Sequence, residues 1–175
     1  KTLMERKTKV QSWYLDLSLL KSYWNSNRAY HHTAPISMIY ALREALRLLF
    51  QEGVENRFRR HARNAAALRA GVEALGLGLF AAPGFRADPL TAVIVPQGVE
   101  DAKVRQQLLR EYSIEIGGGL GPVAGKVWRI GLMGENSRPA SVLTFLSALE
   151  GILPREGYEV ARGEGVAAAQ RALAG

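Results

Sequence analysis

The spacing of apolar and polar positions divides the chain into helical and extended stretches. Leu17, Leu20, Tyr23 and Trp24 recur at helical spacing behind Asp16, which predicts a short helix with an aspartate cap and a turn over 25–28. Trp13-Tyr14-Leu15, just upstream, adds large apolar groups that call for burial, although nothing nearby in sequence supplies a sheet. Pro35 fits a first helical turn, with Thr33 or Ala34 as cap, and Ile36, Ile39, Leu42, Leu46, Leu49 and Phe50 form one broad apolar side. Gly53 interrupts that helix. A second carries Val54, Phe58, Ala62, Ala65, Leu68, Val72 and Leu75 and stops at Gly76.

Beyond Gly76 the period changes. Leu77–Phe80 reads as an edge strand, Thr91–Val95 as a strand ended by Pro96, and Asp101–Tyr112 as a helix. Ser113–Ile116 and Val127–Met133 read as strands. Ser137–Leu153 is a helix ended by Pro154, and Val166–Leu173 is an alanine-rich one. This order predicts an α+β fold, a small and mainly antiparallel sheet with helices on one face. Gly53 marks the domain boundary, giving 1–52 and 53–175.

In the stretch Val127–Met133 alternate side chains share a face. Trp128, Ile130 and Leu132 form an apolar side, which leaves Arg129 on the other with Val127, Gly131 and Met133. A guanidinium is always charged and presents a planar fork of donors suited to a carboxylate or phosphate. From spacing alone, a structural ion pair with an internal acid such as Glu115 is the more ordinary reading and ligand binding the sharper one. Gly117–Gly119 and Gly121 lead into this strand, not into a helix N-terminus, so they make a weak phosphate cradle.

Composition narrows the class. At 175 residues with no cysteine, the chain is long enough for a core without disulfides, and it suits a reducing, cytoplasmic compartment. No apolar run approaches the ~18 residues of a membrane span, and no signal-type segment appears, so no membrane partner is expected. The formal net charge of +7 raises nucleic acid as a partner, but 17 of the 23 basic residues are scattered arginines. The one dense group, Arg57–Arg63, reads as a solvated helix face, and no nucleic-acid partner is expected. The chain opens on Lys1 inside a basic loop, Lys1–Lys9, as a piece of a longer polypeptide would.

Familiar catalytic sets are missing. His31 and His32 are adjacent on an extended stretch and should diverge, His61 is isolated, and no metal site is expected. Tyr30 and Thr33 place two hydroxyls just before a helix start, which reads either as a cap beside a core tyrosine or as an anion contact.

Several segments, in order, carry a resemblance: R-K-T-K (6–9), W-Y-L-D (13–16), Y-H-H-T-A-P (30–35), L-R-E-A-L (42–46), Q-E-G-V-E-N (51–56), I-E-I-G-G-G-L-G (114–121) and G-K-V-W-R-I-G-L-M-G (125–134). Up to about residue 154 the chain resembles the C-terminal part of a class V pyridoxal-phosphate aminotransferase of the alanine–glyoxylate / serine–pyruvate type. The resemblance implies fold type I, with 1–52 the end of the large α/β domain and 53–175 the small C-terminal α+β domain. It implies a pyridoxal 5'-phosphate cofactor, a homodimer, and transfer of an amino group from alanine or serine to glyoxylate or another 2-oxo acid. By position, Arg129 matches the arginine that holds the substrate carboxylate. Tyr30 and Thr33 match residues reaching the cofactor phosphate of the neighbouring subunit. The Schiff-base lysine would lie upstream of Lys1, and none of the six lysines present suits the role, so 1–175 alone should be inactive. Two rival readings are half of a split enzyme, joined to an N-terminal chain through Trp13, Tyr14 and Trp24, and a non-catalytic module binding small carboxylates.

Overall fold

The computed structural model describes residues 5–26 and 28–175, so the first four residues of the predicted N-terminal loop and Asn27 of the predicted turn lie outside it. The elements are α1 (Leu17–Trp24), α2 (Ile36–Glu52), α3 (Val54–Ala74), β1 (Leu90–Ile94), α4 (Asp101–Tyr112), β2 (Gly117–Gly118), β3 (Val127–Gly131), α5 (Pro139–Ile152) and α6 (Glu164–Ala174). They divide into two compact units, Lys1–Leu48 and Leu49–Gly175, with the division inside α2.

In the first unit Asp16 caps α1, its Oδ1 accepting the Ser18 N–H at 2.9 Å. This holds the carboxyl below its ordinary range, chiefly through hydrogen bonds from the Ser18 hydroxyl and amide. No residue of α1 or α2 is buried. The burial expected for Trp13, Tyr14 and Trp24 is not found, and Trp24 is 83% exposed. Among the described residues this unit has no strand, so no sheet is there to cover them.

In the second unit the sheet order is β1-β3-β2, antiparallel throughout. Strands β1 and β3 pair from Leu90–Gly131 to Ile94–Val127. Val93, Trp128 and Ile130 join one core with Leu68 and Val72 of α3, Val104 and Leu108 of α4, Val142, Phe145, Leu146 and Leu149 of α5, and Ala169 of α6. The fold is α+β. Trp128 is wholly buried, so truncating it to alanine would cost about 3–5 kcal/mol. Gly53, at φ +84°, separates α2 from α3, and Gly76, at φ +76°, follows the end of α3, both in the region that favours glycine.

Three expectations need correction. Leu77–Phe80 contributes only an isolated bridge, Leu79 to Val93, not a strand. Ser113–Ile116 is not a strand either, because its first residues finish α4. Ser113 adopts the left-handed conformation, and the Ile114 N–H donates to the Leu108 carbonyl at 3.0 Å. Pairing therefore starts late and is confined to Gly117 and Gly118. Finally, Phe58 and Ala62 of the α3 stripe are exposed, since the buried face of that helix begins only at Asn64.

Candidate functional site

Arg129 sits in β3 opposite Ala92 on one side and Gly117 on the other. Its Nε–H donates to the Gly118 carbonyl at 2.7 Å. A Cβ on Gly117 would lie 3.1 Å from Nη2 and 3.4 Å from Cζ and Nε, so the guanidinium rests where a side chain would stand. The ion pair with Glu115 is not formed, and among the described residues no ion pair includes Arg129. With Nε engaged, the end of the fork carrying Nη1 and Nη2 remains for a planar two-oxygen partner.

In the first unit Tyr30 Oη and Thr33 Oγ1 lie 2.8 Å apart. Tyr30 is 73% exposed, so it is not a core tyrosine. His31 and His32 do not diverge as expected, because the chain bends at His32 and brings their Nδ1 atoms to 2.8 Å. His31 is buried, stacks on Trp13 at 4.0 Å between ring centroids, and bonds the Trp13 carbonyl through Nε2 at 3.0 Å. Among the described residues no group of three or more metal-ligating side chains gathers.

No family model matches the chain. It is 44% identical over 160 residues to the (S)-ureidoglycine–glyoxylate transaminase of Bacillus subtilis, covering 91% of this chain. The crystal structure of the ureidoglycine–glyoxylate aminotransferase from Bacillus subtilis superposes with a TM-score of 0.92 at 42% identity, over 97% of this chain and 44% of that one. An alanine–glyoxylate aminotransferase structure from Nostoc sp. gives 0.81 at 53% identity, over 85% of this chain and 40% of that one. The chain belongs to the class V aminotransferases. It spans 38% of the length of the curated Bacillus relative and aligns with the C-terminal portion of the family.

In this class V aminotransferase chain the turn that follows β3 is held by α3, through residues sequence reasoning read otherwise. Arg60 Nη1 donates to the carbonyls of Gly134 at 2.8 Å and Ser137 at 2.7 Å. Its Nε and Nη2 meet both Glu52 oxygens at 2.5 and 2.9 Å. That contact holds the Glu52 carboxyl below its ordinary range and raises Arg60. His61 donates from Nδ1 to the Arg57 carbonyl at 2.7 Å and accepts the Gly134 N–H on Nε2 at 3.1 Å. Buried Asn64 donates to the hydroxyl of buried Ser137 at 3.1 Å. The arginine run is thus only partly a solvated face: Arg59 and Arg63 are exposed, but Arg57 also pairs with Glu52, and Arg63 donates to the Leu173 carbonyl. No short-range signal marks these contacts, since 73 residues separate His61 from Gly134.

Proposed function

We propose that the chain forms the C-terminal portion of a pyridoxal-phosphate-dependent aminotransferase that moves an amino group from alanine or serine to glyoxylate or another 2-oxo acid. Residues 1–52 would end its large domain and 53–175 form its small one. The observation that supports this reading is the Arg129 fork, which is anchored through Nε and has, among the described residues, no carboxylate on its two terminal nitrogens. Each charge-assisted bond to a substrate carboxylate is worth about 1.5–3 kcal/mol, which fixes the acid end and orients the reacting carbon.

The residues fit the cofactor at its phosphate end. The exposed hydroxyls of Tyr30 and Thr33 bond each other, which leaves one O–H free for a phosphate oxygen and a second once that mutual bond opens, and they would be contributed across a homodimer interface to the neighbouring subunit. When bound, pyridoxal phosphate supplies the electron sink for chemistry at the α-carbon. Arg129 would hold the acid group and Tyr30 and Thr33 the phosphate, with the lysine that moves the proton expected outside these 175 residues. The exposed Trp13, Tyr14 and Trp24 suit association with an N-terminal part, in the same polypeptide or as a separate chain.

Incubated alone with pyridoxal phosphate and alanine, the 175-residue chain should give no transamination. Completed with an N-terminal part, it should be active, and Arg129→Lys should lower kcat/KM for glyoxylate on the order of tenfold or more as one two-pronged contact is lost. Turnover by the chain alone, or an unchanged kcat/KM in the variant, would refute the reading.

A further inference from the structure

Strand β2 consists of two glycines, and each has a guanidinium where a side chain would be. Gly117 lies against Arg129. At Gly118, a Cβ would lie 3.3 Å from Arg105 Nε and 3.4 Å from its Cζ and Nη2. Successive residues of a strand face opposite ways, so the two cations flank β2 from its two sides. Arg105 stands on α4 one turn after Asp101, which grips it with a fork. Nε–H donates to Oδ1 at 2.9 Å and an Nη2–H to Oδ2 at 3.0 Å. Asp101 is largely buried, at 11% side-chain exposure, and its bond raises the Arg105 pKa above the ordinary arginine value. Asp101 also occupies the first turn of α4, where the helix dipole favours a negative charge.

We infer that Arg105 is a positioning residue for Arg129, acting through Gly118. The inference rests on the reading of Arg129 as the hook for a substrate carboxylate. Glycine has the freest backbone of any residue, and a two-residue edge strand without side chains has little to fix its peptide planes. The Gly118 carbonyl must nevertheless point at Arg129 Nε for the fork to stand end-on. Pairing with β3 restrains the Gly118 backbone within the sheet, and Arg105 stands against its Cα from the side away from Arg129. Asp101 holds Arg105 in place, so the order of support runs Asp101, Arg105, Gly118, Arg129. A surface ion pair with no such role would leave Arg129 untouched when removed.

The test uses the 175-residue chain labelled with 15N-arginine. The Arg129 Nε–H resonance is assigned by its loss in Arg129→Lys, its exchange with water is measured, and pyruvate is titrated as the probe carboxylate. In Arg105→Gln and Asp101→Asn, exchange of the Arg129 Nε–H should quicken about fivefold or more, the factor that one weakened hydrogen bond carries. Pyruvate affinity should fall several-fold, with an unchanged amide spectrum outside 101–118. Exchange staying within about twofold of wild type in a folded variant of either kind would overturn the inference, since a ~1 kcal/mol bond cannot then depend on Arg105. Failure of pyruvate to shift any Arg129 resonance in the wild-type chain would instead sink the carboxylate reading, while the exchange rates still decide the role of Arg105.

Discussion

Glu150 lies on α5 and is only 7% exposed, yet both its oxygens are spent on another helix. Oε2 accepts the Gly163 N–H at 2.8 Å and Oε1 the Val166 N–H at 3.1 Å. Those amides open α6, whose N-cap residue Gly163 provides no side-chain cap. The carboxylate of one helix therefore terminates the next, with charge and dipole in the favourable sense. Glu150→Ala removes two bonds to a charged acceptor, each worth about 1.5–3 kcal/mol. The exposed end of α6 lets water recover part of that, so the expected loss is about 3 kcal/mol. At roughly 3–5 °C per kcal/mol for a unit of this size, the thermal midpoint should drop ~10 °C by circular dichroism. Glu150→Gln keeps one acceptor but turns an NH2 toward the other amide, and should lose at least half as much. Hydrogen exchange gives the local readout, because the Gly163 and Val166 amides should lose protection before those of α3. A midpoint lowered by less than about 2 °C, or unchanged protection at both amides, would show that α6 does not depend on this carboxylate.

Other consequences are as direct. Thr91 is buried and its hydroxyl has no protein partner among the described residues. Thr91→Val keeps the shape and should raise the unfolding free energy by about 1 kcal/mol in urea titration, whereas a partnered hydroxyl would make the change destabilising. Gly117→Ala places a methyl 3.1 Å from Arg129 Nη2. It should weaken pyruvate binding on the order of tenfold by NMR titration while shifting the melting midpoint by no more than about 1 °C. The Glu52 carboxyl is lowered chiefly by its hydrogen bond from Arg60. A depressed folded value means that its contribution is present above the ordinary glutamate pKa and is lost as pH falls through the folded one. The Gly134 and Ser137 amide resonances should therefore undergo a transition below the ordinary glutamate range. Resonances that stay flat as the pH falls through and below that range would contradict the Glu52–Arg60 link.

Local patterns were readable where short-range periodicity decides the outcome. Asp101–Tyr112 is helical as the sequence predicts, with Val104 and Leu108 buried, and Trp128, Ile130 and Leu132 all face the core. What the chain concealed depends on distant partners. Arg57, Arg60 and Arg63 look like solvated charge because their acceptors, at Glu52, Gly134, Ser137 and Leu173, are set by tertiary packing. I-E-I at 114–116 alternates like a strand, but Ser113 and Ile114 are already used to end α4. Arg129 was legible as a cation aimed away from the core. That no acid among the described residues meets it could not be read from spacing, since Glu115 was near enough in sequence to serve.

Immediately around Arg129 the outer face of the sheet is floored by Ala92 and Gly117 opposite it and Gly131 two residues along, none larger than a methyl, while Leu90, Ile94 and Val127 stand further out on the same face. Such a floor adds almost nothing to the apolar core beneath it. Affinity for the acid group can thus be tuned there with little loss of folding stability, while discrimination between large and small guests has to come from walls built elsewhere.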